Sequence, residues 1–240
     1  MQYSNIVHGK FIERPNRFIA LAQVDGNIEK VHVKNTGRCR ELLIPGTDIF
    51  LEKHNNPTRK TKYSLIAVKK GSRLINMDSQ IPNGVVTEYL RAGGIFGQQA
   101  AENMEIIREK TYGDSRFDIY VNLNGKDIWI EVKGVTLEED GIARFPDAPT
   151  QRGIKHLHGL MEAAANGCEA YMVFVIQMKG VRWFEPNDGT HPEFGQALRE
   201  AQAAGVHVLA FDCNVQEDSI SIREPVEVRL STSSFKTNVR

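Results

Sequence analysis

Residues 116–133 read RFDIYVNLNGKDIWIEVK, and this stretch predicts a β-hairpin that decides the fold of the second half of the chain. Asn124-Gly125 separates two runs that alternate in polarity. This dipeptide favours a type I′ turn, because both central positions of that turn need a positive φ. With these two residues at the turn, Asp118 on the first strand faces Glu131 on the second.

The alternation within the two runs supports this register. The predicted apolar face carries Phe117, Ile119, Val121, Leu123, Ile128, Ile130 and Val132. The opposite face carries Arg116, Asp118, Tyr120, Asn122, Asp127, Trp129, Glu131 and Lys133, and it places Arg116 across from Lys133. A slip of one residue would separate the two apolar sets, so the pattern favours a single pairing.

The two facing acids predict a cation site. Directly opposed side chains on paired strands have Cβ atoms roughly 5 Å apart, and two like charges so placed are destabilising unless compensated. Mg²⁺ or Mn²⁺ held by Asp118 and Glu131 would compensate them. Lys133 would assist the attacking water, so phosphodiester hydrolysis is the predicted chemistry. The alternative is a solvated lattice of charges, because an acid followed by E-x-K is a common pattern.

The bulk composition fits a two-domain globular protein. The chain has 240 residues, of which 41% are hydrophobic and 25% charged. No run approaches the roughly 20 apolar residues that cross a bilayer, and no secretion signal is recognisable, so we expect no membrane partner. Three separated cysteines suit reduced thiols in the cytosol. No GxGxxG, P-loop or GxSxG motif is present, so no organic cofactor is predicted.

Charge is distributed unevenly along the chain. Residues 1–84 hold 14 Lys and Arg against 7 Asp and Glu, a net charge of +7. Residues 85–240 hold 16 against 23, a net charge of −7. A basic module joined to an acidic one favours contact with nucleic acid, with an affinity that falls as salt rises. DNA is therefore the predicted partner, although a basic surface also serves solubility.

Residues 1–83 are predicted to form an OB-fold-like β-barrel. Runs of strand composition are separated by turn signals such as Asp25-Gly26 and Pro45-Gly46. The predicted strands are Phe18–Val24, Ile28–Val33, Asp48–Lys53, Tyr63–Lys70 and Arg73–Met77. About five short strands suit this small barrel, which in other proteins binds oligonucleotides.

Basic residues cluster in the loops and at the strand ends of this predicted barrel. DNA contacts are predicted for Arg14, Arg17, Lys34, Arg38, Arg40 and Lys60. Aromatic residues offer stacking surfaces for bases, namely Phe11, Phe18, Phe50 and Tyr63. Their alternative role is to fill the barrel, which needs large interior side chains.

Residues 84–230 are predicted to form an α/β domain with a mixed sheet, followed by a flexible tail at 231–240. The predicted helices are Val85–Arg91, Gln98–Arg108, Arg152–Ala165 and Glu193–Ala204. The apolar runs Ala170–Gln177 and Val206–Phe211 predict buried strands.

The helix at Arg152–Ala165 is predicted to begin after an N-cap at Thr150. One face shares Arg152, Lys155, His156 and Gly159, opposite a stripe of apolar residues. A basic face beside a carboxylate pair suits DNA phosphates, so Arg152 and Lys155 are predicted DNA contacts; an ordinary solvated face is the alternative. His156 and His158 are expected at the surface, because neither has a partner at zinc spacing.

Six stretches together resemble the sugar fermentation stimulation protein (SfsA) family over nearly the whole chain. They are Arg14–Phe18, Asn35–Arg38, Arg108–Gly113, Ser115–Asp118, Ile130–Lys133 and Phe145–His156. The resemblance implies an OB-like domain followed by a PD-(D/E)xK nuclease-like domain. It also implies non-specific DNA binding and a regulatory role in sugar metabolism, notably that of maltose.

The resemblance also implies residue roles. Asp118 is similar to the first acid of the nuclease motif, and Glu131 and Lys133 to its E-x-K, although Phe117 stands where the motif has Pro. Glu109 is implied as an additional acid and Lys155 as a supporting base. Two hypotheses remain open: a Mg²⁺-dependent DNA nuclease, or a DNA-binding regulator that keeps the fold without cutting. A homodimer stays open as well, because nucleases that cut both strands often pair.

Overall fold

A computed structural model describes residues 1–35 and 37–231. The predicted tail therefore lies outside the described residues, apart from Ser231. The first domain is built on six strands: β1 Ile6–Asn16, β2 Ile19–Val24, β3 Asn27–Val33, β4 Asp48–Lys53, β5 Tyr63–Lys70 and β6 Arg73–Asn76. Their order is β3-β2-β1-β4-β5-β6, and an additional parallel pairing of β3 with β5 closes the first five strands into a barrel. The predicted OB-fold barrel is confirmed.

Strand β1 was not predicted from the sequence, although it pairs with both β2 and β4. Gly9 and Pro15 interrupt its alternation, and its ladder with β2 shifts register between Phe11 and Glu13 and again before Asn16. Bulges of this kind bend a strand and increase its twist, which a closed barrel needs. A pattern search for regular alternation misses such a strand.

The second domain is a six-stranded mixed sheet with helices on both faces. Its elements are α1 Pro82–Arg91, α2 Gln98–Ala101, β7 Met104–Tyr112, β8 Ser115–Leu123, β9 Lys126–Val135, β10 Leu137–Glu139, β11 Ile142–Phe145, α3 Gln151–Ala165, β12 Glu169–Ile176, β13 Trp183–Pro186, α4 Pro192–Ala203, β14 His207–Val215 and β15 Ile220–Pro225. The main sheet has the order β15-β14-β12-β9-β8-β7, and β10, β11 and β13 form a small second sheet. Parallel pairs of β12 with β9 and β14 stand beside antiparallel pairs, so the predicted mixed sheet is confirmed.

Three of the four predicted helices form. α1, α3 and α4 lie within three residues of their predicted bounds, and Thr150 caps α3 as expected, its side chain accepting from the N–H of Gly153 at 3.1 Å. The helix predicted at Gln98–Arg108 is wrong: α2 ends at Ala101, and β7 begins at Met104. β7 pairs with β8 along its length. Pairing with a neighbouring strand decides whether a short run that could be helix or strand becomes a strand.

The two domains share buried contacts. One apolar cluster includes the barrel interior and the α3 side of the six-stranded sheet of the second domain. Another includes α1 and the opposite side of that sheet. Gln177, after β12, donates to the backbone carbonyls of Asn76 and Asp78 at 3.2 and 3.0 Å. Glu138 of β10 accepts from Arg73 at 2.7 Å and from Lys70 at 2.9 Å, both on the barrel side. The barrel is therefore fixed against the second domain by polar as well as apolar groups.

Glu138→Gln is expected to lower the free energy of unfolding by about 2 kcal/mol at pH 7, because it leaves two cations beside a neutral buried group. Burial alone would raise the pKa of Glu138, but hydrogen bonds from Arg73 and Lys70 hold it at about 2. A pKa depressed by folding adds stability above about pH 4.5 that is lost as the pH falls towards 2.

Urea unfolding at pH 7 and pH 3 measures this effect, and the difference between Glu138→Gln and the unaltered chain should shrink at pH 3. Glu139→Gln is the matched control, since the Glu139 side chain is 65% exposed and its pairing with Arg144 should contribute little. Equal losses in the two variants would contradict the assignment.

Candidate metal and nucleic-acid site

The hairpin that carries the site has the predicted register in its regular part. Ile119 pairs with Ile130, and the pairing continues to Leu123 and Lys126 at the turn. Asn124 and Gly125 have φ of +53° and +83°, as a type I′ turn requires. The ladder therefore brings Asp118 and Glu131 to the same end of the hairpin.

The predicted alternation breaks at Asp118. Phe117 packs with Trp129 and with His156 of α3, at ring-centroid distances of 5.8 and 6.2 Å, whereas Ile119 belongs to the cluster on the α1 side. The prediction that Phe117 and Ile119 share a face is thus wrong. Because helices cover both faces, the predicted polar face is not solvated either, and Trp129 is buried on it. A solvated lattice of charges is excluded for Glu131, which is buried as well.

Asp118 lies partly buried between β9 and α1. Its Oδ2 accepts from the backbone N–H of Val132 at 2.9 Å, and its Oδ1 accepts from the side-chain amide of Asn83 at 2.8 Å. Burial raises the pKa of Asp118 above its ordinary value, and the nearby charge of Glu131 raises it further. Asn83, at the start of α1, was missed from the sequence because nothing local connects it with residue 118.

Glu131 is the most enclosed acid of the site, with a relative exposure of 1%. Its Oε1 accepts from Lys133 Nζ at 2.5 Å and contacts His156 Nδ1. Among the described residues, its buried Oε2 has no hydrogen-bond partner. Burial alone would raise the pKa of Glu131, but the hydrogen bond from His156 and the charge of Lys133 bring this pKa below its ordinary value.

His156, rather than Lys155, is the α3 residue that contacts the acids. The expectation that His156 is a surface residue is wrong: it is 5% exposed, while Lys155 is exposed to solvent. Arg152 Nε lies 3.3 Å from His156 Nε2. Since a guanidinium can only donate, Nε2 must accept, and the proton of a neutral imidazole then sits on Nδ1, facing Glu131.

Close packing of α3 on β8 brings His156 within reach of Glu131. A Cβ at Gly159 would lie 2.9 Å from Ser115 Oγ and 3.0 Å from Phe117 Cζ. Only glycine therefore fits at this position without a shift of its neighbours. The predicted basic face of α3 is thus partly a packing face, on which His156 and Gly159 are buried.

Glu109, the additional acid implied by the resemblance, lies outside this group. It is exposed on β7 at a φ of +57° and forms an ion pair with Arg116. The structure brings together Asp118, Glu131 and Lys133, adds Asn83 and His156, and leaves Glu109 and Lys155 outside. Within residues 1–35 and 37–231, no three His, Cys, Asp or Glu residues are grouped to hold a metal ion.

A groove of about 440 Å³ lies on the barrel surface. It is lined by Phe11, Ile12, Glu13, Arg14, Asn16, Arg17, Gly37, Arg38, Arg40, Leu43 and Pro45. Four of the six DNA contacts predicted on the barrel line this groove, and three of them, Arg17, Arg38 and Arg40, are exposed there.

The other predicted DNA contacts are placed differently. Arg14 donates to four backbone carbonyls, so we assign it to loop positioning rather than to phosphate binding. Lys34 is 16% exposed and bonds Asp78 at 2.7 Å, which also leaves it little access to DNA. Lys60 is exposed in the β4–β5 connection, outside the groove, and Arg152 is exposed at the start of α3.

The described part of the chain holds no helix that is long and apolar enough to span a membrane. Fold and site together define the class: a basic OB barrel joined to a mixed-sheet α/β domain that encloses a pair of acids. Two family models match, "SfsA N-terminal OB domain" over residues 12–77 and "Sugar fermentation stimulation protein RE domain" over residues 80–219. The chain belongs to the sugar fermentation stimulation protein (SfsA) family.

Relatives match over almost their full length. The sugar fermentation stimulation protein homolog of Clostridium beijerinckii is 55% identical over 231 residues, which cover 96% of this chain and 100% of the relative. The homolog of Desulfitobacterium hafniense is 55% identical over 230 residues, covering 96% and 99%. The structure of Pyrococcus furiosus SfsA in complex with Ca²⁺ superposes with a TM-score of 0.82 at 28% identity, covering 95% of this chain and 98% of that one.

Proposed function

We propose that the chain is a Mg²⁺-dependent deoxyribonuclease whose second domain is of the PD-(D/E)xK type. The observation that carries this proposal is the buried Oε2 of Glu131, which has no partner among the described residues. A buried charged oxygen without a hydrogen bond is costly, so it calls for a ligand. Asp118 lies close to Glu131, whose charge adds to burial in raising the pKa of Asp118. A cation would relieve the repulsion between these two acids.

The donor set suits a hard divalent cation. Mg²⁺ commonly takes one or two protein carboxylates and completes its octahedron with water and phosphate oxygens. Asp118 and Glu131 supply that number, and Mn²⁺ accepts the same oxygen ligands. Pyrococcus furiosus SfsA binds Ca²⁺, another hard cation that prefers oxygen ligands, which supports the same ligand chemistry in this chain.

When bound, such an ion supplies an acidified water and charge neutralisation at phosphate. The protein residues do the rest. Lys133 is 18% exposed and would steady the attacking oxygen or the phosphate charge from the end of β9. His156 fixes Oε1 of Glu131 and so leaves Oε2 for the cation, while Asn83 and the Val132 amide hold Asp118 in place.

The charge distribution supports DNA as the substrate. Residues 85–240 carry −7 and would repel a polyanion, whereas residues 1–84, which contain the barrel, carry +7. The barrel would therefore provide the attraction and the second domain the chemistry. Arg17, Arg38 and Arg40, which meet in the groove, are the residues that we assign to phosphate contact.

A second candidate is a DNA-binding regulator of sugar metabolism, notably that of maltose, which keeps the nuclease-like fold without cutting. The observation that favours it is the double contact at Oε1 of Glu131. Lys133 and His156 both reach this oxygen, so a large part of the acid's charge is compensated without a cation. A chain of this kind would bind DNA and release no product.

Incubation of the full chain with supercoiled plasmid, duplex and branched oligonucleotides separates the two candidates. We expect nicked or shortened product with Mg²⁺ or Mn²⁺ and none with EDTA. Lys133→Ala should slow cleavage by about 100-fold or more, the usual effect of losing an electrostatic stabiliser of the reacting oxygen. If the chain binds DNA but yields no product from any of these substrates with either metal, the nuclease proposal is rejected and the regulator remains.

A further inference from the structure

The barrel groove combines an apolar floor with a cationic rim. Phe11, Ile12, Leu43 and Pro45 supply apolar lining, and Arg17, Arg38 and Arg40 supply positive charge at the edges. Glu13 is the acidic side chain of the lining. We propose that this groove binds an unpaired strand of the nucleic acid, so that the substrate is DNA with a single-stranded segment. This inference deepens the proposed function and rests on it for the choice of DNA.

The shape of the lining argues for an unpaired strand over a duplex. A duplex offers a protein its phosphates and base edges, while the base faces are stacked inside the helix. Phosphate contacts need only the arginine rim and leave an apolar floor without use. An unpaired strand presents its base faces to apolar and aromatic side chains while its phosphates meet the cations, which is the general mode of single-strand binding.

An exposed aromatic residue stands beside the groove. Arg17 and Phe18 form the tip of the β1–β2 hairpin, between Asn16 and Ile19. Phe18 is 45% exposed, and the Arg17 guanidinium lies 4.8 Å from the centre of its ring. The Asn16 side chain accepts from the backbone N–H groups of Phe18 and Ile19 at 2.9 and 3.0 Å, which fixes the tip. The backbone that carries the ring is thus fixed, and the exposed ring is available to stack on a base.

Arg14 preforms the groove. Its guanidinium donates to the carbonyl of Arg17 on the hairpin tip at 2.6 Å. It also donates to the carbonyls of Asn35, Gly37 and Arg38 across the groove, at 2.7, 2.7 and 2.9 Å. One side chain therefore ties the two walls together, and a preorganised groove loses less entropy when a flexible strand binds.

One wall of the groove lies against the second domain. Gly37, on its wall, lies against Asp147, since a Cβ at Gly37 would collide with Oδ2 of that residue. Asn35 and Asp147 also line a small crevice between the domains, together with Gly134. Gly134 directly follows Lys133 in β9. The wall of the groove that carries Gly37 therefore stands at the junction of the two domains.

Binding is best tested without catalysis, with the full chain, EDTA and fluorescence anisotropy. The probes are labelled oligo(dT), oligo(U) and a blunt hairpin duplex of equal charge. We expect oligo(dT) to bind at least about tenfold more tightly than the duplex. Phe18→Ala should weaken oligo(dT) binding about tenfold, since a base stacked on an aromatic ring contributes that much, and leave duplex binding unchanged. Arg38→Glu should weaken both.

Matched controls lie on the same barrel. Ile28 is 69% exposed and Lys30 is exposed on β3, so Ile28→Ala and Lys30→Glu should leave the preference for oligo(dT) unchanged. Tighter binding of oligo(U) than of the duplex supports the groove as well, with no discrimination of the sugar. Equal binding of duplex and oligo(dT), competition by an acidic peptide alone, or an unaffected Phe18→Ala variant overturns the proposal. Because no cleavage is measured, this test of the groove still gives a clear result if the nuclease proposal fails.

Discussion

Glu131→Gln is expected to reduce metal-dependent DNA cleavage by at least about 100-fold while DNA binding stays close to that of the unaltered chain. The substitution keeps the shape of the side chain but removes the charge that the proposed cation needs. Loss of a group that only supports a metal ligand already costs about 10- to 100-fold, so loss of a direct ligand should cost more. Initial rates with Mg²⁺ on a single-stranded and a branched substrate give the measurement, and anisotropy in EDTA gives the binding.

Glu109→Gln is the matched control for this prediction. Glu109 was implied as a further acid of the motif, yet it is exposed and paired with Arg116 on β7. Its amide variant should cleave within about twofold of the unaltered chain. A Glu131→Gln variant that is folded and still cleaves at the normal rate would remove Glu131 from the site, and equal losses in both variants would point to a general effect of charge.

Much of this site can be anticipated from the sequence because a tight turn fixes a register. Asn124-Gly125 sets the pairing of β8 with β9, and pairing carries positional information over several residues on each side. The register that the turn sets is therefore enough to bring Asp118 to the same end of the hairpin as Glu131 and Lys133, although the alternation itself breaks at Asp118. The same local logic predicts α3 and its cap at Thr150, where one side chain satisfies a free amide of the first turn.

Contacts between distant elements cannot be anticipated in the same way. His156 reaches Glu131 only because Gly159 lets α3 approach β8, a condition set by packing rather than by spacing along the helix. Periodicity places Lys155 and His156 on one face but cannot tell which of them turns inward. Asn83 lies in the Pro-Asn-Gly stretch that the sequence indicates as a domain boundary, and its bond to Asp118 spans 35 positions.

The basic residues of the barrel show a related limit. Composition indicates a cluster, but charge alone does not separate a side chain that faces solvent from one that the protein uses internally. Arg14 binds four carbonyls and Lys34 binds Asp78, whereas Arg17 and Arg38 remain exposed. The hydrogen bonds of each cation therefore decide which of them are offered to DNA, and those bonds depend on tertiary contacts that a local pattern does not contain.

Phe174→Ala is expected to lower the free energy of unfolding by about 3–5 kcal/mol, the usual cost of a cavity left by a buried aromatic ring. Phe174 lies on the central strand β12, is fully buried and stacks on Phe184 with ring centres 4.1 Å apart. It also packs on Phe145, with ring centres 5.6 Å apart, at the start of the segment that leads into α3. Loss of the ring should therefore loosen the core and also the segment that leads into α3, the helix that carries His156.

Urea unfolding followed by the fluorescence of Trp129 and Trp183 measures this loss. Phe18→Ala is the matched control, because its ring is 45% exposed at a hairpin tip and its removal leaves no cavity; its cost should stay below about 1 kcal/mol. A globular domain is stable by only about 5–15 kcal/mol, so Phe174→Ala should consume a large part of that margin. A cost below about 1 kcal/mol would mean that the sheet and α3 can close over the gap, and the tight packing that we assign to Phe174 would then be wrong.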